Sequence, residues 1–231
     1  MNDIEFLCPP DLIDRIPHPK RAAQFMPDWY RNLPRDIGRL DAQGLPGLSA
    51  KACLPMTDAM AQGWIIPLAC DVTVGENQFG WLDFTWDADV PFAPLSDHHP
   101  AQIGAGRPPF LEVVPRKWVN PWRIKVPEGW SVLFCHPLNH VHLPFRVFDG
   151  WVDCDRFDVA VNAPFLWTAG RAQQVVPAGT PIFQVIPMQR SGRARDAVMR
   201  AETAQEVADR RHAETRKATE ISVYRNEWRA R

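Results

Sequence analysis

Val126-Pro127-Glu128-Gly129-Trp130-Ser131-Val132-Leu133-Phe134-Cys135 and Val176-Pro177-Ala178-Gly179-Thr180-Pro181-Ile182-Phe183-Gln184-Val185-Ile186 are two copies of one phrase. In each, seven residues separate the glycine from a second proline, Pro137 or Pro187. Proline presets a turn, glycine admits a positive φ, and the apolar, β-branched and aromatic run that follows reads as a buried strand. Two equivalent turn–strand units predict a β-barrel or β-sandwich, β-clip- or cupin-like, with internal pseudo-symmetry. Further strands are predicted at 63–74, kinked at Pro67, and at 81–86, 110–114, 122–125, 145–147 and 159–161. Many short strands punctuated by Gly and Pro favour a mainly β chain over α/β.

Outside this β domain, taken as 51–190, the punctuation changes. Residues 1–50 carry Pro9, Pro10, Pro17, Pro19, Pro27, Pro34 and Pro46, which rule out a long helix and predict an extended arm wrapping the main domain. One short helical turn is expected at 27–33, with Pro27 leading and Asp28 in the first turn. From 191 to 231 the chain reads as a C-terminal helical extension, the helix itself running from about 194 to 228. Ala197, Ala201, Ala204 and Ala208 form a small-residue stripe on it, suited to docking on the chain or to homo-oligomer formation.

Apolar residues are 45% of the 231, enough for a real core. Ten Trp and twelve Phe against two Tyr favour an aromatic-lined interior or pocket. A net charge of −1 supplies no global basic field for nucleic acid or an anionic membrane. No run of about 18 apolar residues predicts a membrane span. The first residues lack the pattern of a secretory leader. Five scattered cysteines without C-x-x-C spacing fit reduced thiols and a cytoplasmic location.

The densest chemistry is Cys135-His136-Pro137-Leu138-Asn139-His140-Val141-His142. On a strand His140 and His142 would share a face, and His136 could fold back through the turn. Three imidazoles in seven residues form a candidate facial set for a divalent metal, Fe or Zn, joined by Asp149, Asp153 or Asp155. Histidines of a polar surface loop are the competing reading. His98 and His99, in a Pro/Gly-rich loop, would join only if that loop folds over the cluster. Trp118, Trp122, Trp130 and Trp151 are candidate walls of a small-molecule pocket, with ordinary core filling the alternative. No nucleophile elbow, P-loop or dinucleotide fingerprint occurs.

Three resemblances bear on these residues. His140-Val141-His142 is similar to the opening of the first cupin metal motif, without the Glu that should follow. Asp153-Cys154-Asp155 followed by Gly179-Thr180-Pro181-Ile182-Phe183-Gln184 resembles the order found in dUTPases and dCTP deaminases. That likeness implies Asp153 positioning water for attack on a nucleotide and Gln184 near base or sugar. Arg156 stands where those enzymes carry Tyr. Over a longer span, Pro27-Asp28-Trp29, Lys51-Ala52-Cys53-Leu54-Pro55, Asp58-Ala59-Met60, Gly63-Trp64-Ile65-Ile66-Pro67, Trp118-Val119-Asn120-Pro121-Trp122, Pro127-Glu128-Gly129-Trp130-Ser131, Val152-Asp153-Cys154-Asp155 and Gly179-Thr180-Pro181-Ile182-Phe183-Gln184 resemble the DUF6065 family, which implies no catalytic residues.

The leading expectation is a small-molecule-binding enzyme, a metal-dependent hydrolase or oxygenase if the imidazoles converge. Asp153 and Asp155 would then be its catalytic carboxylates, and Gln184 and the four tryptophans its binding residues. Two other readings stay open: a non-catalytic assembly module and a nucleotide-binding β-clip protein. An enzyme requires His and Asp groups in one cleft, whereas a module leaves them dispersed and exposes an apolar patch.

Overall fold

The computed structural model describes residues 4–40, 44, 46–86, 90–104, 115–220 and 223–230. The strand expected at 110–114 lies outside the described residues. The chain divides into two compact units, Met1–Pro27 with Ala59–Gly192, and Asp28–Asp58 with Arg193–Arg231. The residues expected as one arm are shared between them.

The first unit is built on the repeated phrase. Gly129 and Gly179 take φ of 82° and 84°. Each turn closes on its own proline, Trp130 N–H donating to Pro127 C=O and Thr180 N–H to Pro177 C=O, both at 3.1 Å. The strands that follow are neighbours. Numbered in chain order, β11 (Trp130–Cys135) and β16 (Pro181–Gln189) pair antiparallel from Trp130↔Gln189 to Cys135↔Gln184. They form the centre of a five-stranded sheet ordered β13 (Gly150–Val152), β11, β16, β5 (Trp64–Pro67) and β2 (Lys20–Arg21). A second sheet runs β12 (Phe145–Val147), β14 (Ala163–Trp167), β9 (Arg116–Trp118) and β8 (Leu95–Asp97). A third runs β15 (Gln174–Val176), β6 (Val72–Glu76) and β7 (Leu82–Trp86), and β1 (Glu5–Leu7) pairs with β10 (Arg123–Lys125).

The chain is therefore mainly β and antiparallel, but none of its described sheets closes into a barrel. The outer strands of the largest sheet, β2 and β13, are only two and three residues long, too short to carry the sheet round onto itself. Its buried faces instead share one core with the other sheets. Ile66, Val132, Phe134, Phe183 and Val185 come from the first, Trp118, Phe145 and Phe165 from the second, and Val72, Val74 and Val176 from the third. Fully burying a side chain of this size contributes roughly 1.5–3 kcal/mol.

Two strand expectations shift. The run 63–74 is two strands in different sheets. β5 ends at Pro67, which has no N–H for the ladder, and the chain is then held by Leu68 N–H on Thr180 C=O (2.8 Å) and Gly179 N–H on Leu68 C=O (2.9 Å). Residues 159–161 form no strand; β14 begins at Ala163, after Asn162 has spent its side-chain oxygen on the Asn120 N–H (3.0 Å).

The second unit holds α1 (Asp28–Arg31), the hairpin β3 (Asp36–Leu40) and β4 (Pro46–Leu48), and α3 (Ala204–Thr219). The boundary at residue 58 falls within α2 (Leu54–Ala61), a helix that the sequence pattern did not predict. The C-terminal helix is present but begins ten residues later than its expected start. Thr203 caps it, accepting from Glu206 N–H while the Glu206 carboxylate accepts from Thr203 N–H. This capping box satisfies two end donors and sets the start. Ala197 and Ala201 consequently lie before the helix, and Ala204 and Ala208 are exposed on it. No described helix is long and apolar enough to cross a membrane.

Gly63 marks the tightest backbone approach in the first unit. Its φ is +63°, and a Cβ there would stand 2.0 Å from the Val185 carbonyl oxygen. Gly129→Ala, by contrast, meets open space and only an unfavourable φ. We expect Gly129→Ala to cost about 1–2 kcal/mol and Gly63→Ala upwards of about 3 kcal/mol, because the β5–β16 pairing must shift as well. Urea denaturation midpoints of the two variants check this order.

Candidate functional site

The turn leaving β11 builds the pocket with the richest chemistry. Pro137 stops the strand and its carbonyl accepts from His140 N–H at 3.1 Å. Asn139 sits at φ 61°, a left-handed conformation that Asn tolerates better than most residues. Two side chains pin this turn from outside. Gln184 Oε1 accepts from Leu138 N–H at 2.8 Å, and Asp149 Oδ1 accepts from His136 N–H at 2.8 Å. The pocket measures about 280 Å³ and is lined by His136, His140, Cys135, Asn139, Arg146 and Asp149, among others.

Its electrostatics are those of uncharged imidazoles under a charged rim. His140 is only 4% exposed, and burial, with help from His142 and His136, pushes its pKa down to about 4. Burial also lowers His136, against the opposing effects of a backbone hydrogen bond to His140 and of Asp149. Its Nδ1 is buried without a hydrogen-bond partner. The Cys135 thiol is pushed up to about 12 by burial and by Asp149, so it supplies no thiolate nucleophile at neutral pH. Arg146 and Asp149 are exposed.

The other expected residues go elsewhere. His142 is exposed, its ring 5.5 Å from that of His140, and does not line the pocket. Residues 137–144 form turns, not a strand, so the alternation expected to align His140 with His142 is absent. His98 is half-buried near Lys117, and His99 uses its Nδ1 to accept from Ala101 N–H at 3.2 Å. Among the described residues no group of three or more His, Cys, Asp or Glu side chains is arranged to hold a metal ion.

Asp153 and Asp155 belong to a separate network around the first turn. The Asp155 side chain, 3% exposed, pairs with Arg190 and accepts from Gly129 N–H at 2.9 Å. Ser131 Oγ donates to Asp153 Oδ1 at 2.5 Å, and Arg190 also donates to Trp130 C=O at 2.6 Å. The Arg190 hydrogen bond is the main reason the Asp155 carboxyl is held down to about 2. Sequence reasoning missed Arg190, which is 35 residues from Asp155 and has no local signature.

The tryptophans do not converge on one pocket. Trp118 is fully buried, stacked on Phe165 at 4.4 Å and edge-on to Phe145 at 5.2 Å. Trp122 is 2% exposed, its backbone N–H donating to Asn120 Oδ1 at 2.9 Å. Trp151 is 39% exposed, and Trp130 lines a second pocket together with Trp64. Gln184 is buried and spends its carboxamide on backbone, donating to Ala59 C=O (3.0 Å) and Gln62 C=O (2.7 Å) while accepting from Leu138. All five cysteines are free.

Two outcomes follow from the titrating groups. An unfolded histidine titrates near 6.5, well above folded His140, so the unfolded chain takes the proton first. The His140 contribution to stability is therefore full above pH 6.5 and falls as the pH drops toward 4, by roughly 3 kcal/mol at full extent. His140→Gln flattens that slope in urea midpoints measured between pH 7 and 4.5. Asp155 has the opposite origin and the same sign: its contribution, present above about pH 3.8, is lost as the pH falls through about 2. At pH 7, Asp155→Asn lowers the thermal midpoint more than Asp153→Asn, because Asp155 alone is shielded from solvent beside Arg190.

No family model matches the chain, so the DUF6065 resemblance gains no support, and no curated protein matches it. Among solved structures, native EIAV dUTPase is similar at a TM-score of 0.32 and 10% identity, over 58% of this chain and 99% of that one.

Proposed function

We propose that this chain is a small-molecule-binding protein whose site is the pocket over the 137–140 turn, and that its ligand is a small hydroxycarboxylate. The supporting observation is that His136 and His140, both held uncharged by burial, line the same pocket as the exposed guanidinium of Arg146. A neutral imidazole has one N–H donor and one acceptor nitrogen, which matches a hydroxyl's own acceptor and donor. Arg146 supplies the cation for a carboxylate, and guanidinium–carboxylate pairs are short and directional.

The same values argue for binding over turnover. An imidazole with a pKa of about 4 is a weak base at neutral pH, and the neighbouring thiol stays protonated. The carboxylates expected to be catalytic are occupied in the Arg190 network. The chemistry available is hydrogen bonding to an uncharged ring, set in a turn fixed by Gln184 and Asp149.

Isothermal calorimetry at pH 7 with a panel of two- to six-carbon hydroxycarboxylates tests the reading. At least one member should bind, and Arg146→Gln and His140→Gln should each weaken it at least ten-fold, about 1.4 kcal/mol. Binding by no member, or equal binding by the folded variants, would remove the proposal.

A further inference from the structure

A second pocket, of about 220 Å³, lies on the largest sheet, away from the histidines. Its walls include Trp64 on β5, Ile186 on β16, and Pro127 and Trp130 from the first turn. These surfaces are fixed by other contacts. Trp64 is backed by Phe6, with ring centroids 6.0 Å apart, and the Trp130 carbonyl is held by Arg190. At the mouth, on the edge strand β2, the Arg21 guanidinium lies 4.0 Å from the centre of the Trp64 ring. Arg21 has no ion pair among the described residues, and none of the lining residues is acidic. The remaining polar side chain of the lining, Gln62, is exposed, while its carbonyl is engaged by Gln184.

The structure assigns this slot to a planar aromatic carboxylate. The Trp64 and Trp130 indoles are flat and rigid, the Pro127 ring is rigid, and together they match a flat ring at little entropic cost. A guanidinium resting on an indole face keeps its in-plane N–H groups for a carboxylate, and bidentate pairing follows from that geometry. With a cation and no acid in the lining, the slot discriminates against cations and gains from an anionic group on the ring. The assignment is independent of the histidine pocket, since the two share no lining residue.

Saturation-transfer NMR with benzoate as the probe tests it. Wild-type protein should bind benzoate, with acetate (charge without a ring) and benzyl alcohol (ring without charge) at least ten-fold weaker. Arg21→Gln, at an exposed position, should lower benzoate affinity at least ten-fold. Arg171→Gln, an exposed arginine on another sheet's edge loop, serves as the charge-matched control and should leave it unchanged. Circular dichroism confirms that both variants are folded. Absence of benzoate binding, benzyl alcohol binding as tightly, or equal losses in the Arg21 and Arg171 variants would each overturn the assignment.

Discussion

The buried carboxamide of Gln184 is the constraint on which the first unit's architecture turns. Its side chain is 1% exposed and reaches three backbone groups in two segments remote from β16, at 59–62 and at 138. A buried amide left unpaired costs more than a typical hydrogen bond contributes, so these partners are held together. One segment leads directly into Gly63 and β5; the other is the floor of the histidine pocket. The central strand, the strand beside it and the candidate site are thereby tied to one side chain. It was expected to touch ligand, and its carboxamide is spent on the backbone that shapes the candidate pocket.

Around that centre the polar groups divide by charge. Near the first turn, Asp153, Asp155, Arg190 and Ser131 form an ionised network in which opposite charges offset the loss of water. At the far end of β11 burial is the largest effect on the His136 and His140 imidazoles and outweighs the pull of Asp149 on His136, so it keeps them neutral. The first arrangement is a structural fastening. The second leaves the His136 Nδ1 buried without a hydrogen-bond partner beside the candidate pocket.

The two turn phrases were legible because turn chemistry is local: Pro and Gly at fixed spacing dictate the backbone whatever surrounds them. β11, β12 and β16 followed from the apolar runs. β9 and β14 were not legible, since Arg116-Lys117-Trp118 and Ala163-Pro164-Phe165 carry charges and a proline and become strands through their mutual pairing. The histidine cluster was visible as a cluster, but its geometry was not. Pro137 and Asn139 replace a strand with a turn there, and Arg146 joins the pocket only once β12 folds back beside it. The start of α3 was legible in principle, because Thr203-x-x-Glu206 is a capping signature, yet the longer alanine stripe obscured it.

The paired turns also settle how the central ribbon is aligned. Val132, Leu133 and Phe134 face Pro187, Ile186 and Val185, apolar residues that would tolerate a slip of two positions with little loss of burial. Polar contacts at its two ends do not tolerate it. At one end Asp155 accepts from Gly129 N–H, and Arg190 N–H donates to Gly129 C=O. At the other, Asp71 accepts from Ala178 N–H at 2.6 Å, so each copy of the turn is gripped by an aspartate from elsewhere in the chain. Sliding one strand along the other would pull Arg190 off both the Gly129 carbonyl and Asp155. The interior supplies the cohesion of this sheet, and its two carboxylate-bound ends supply its alignment.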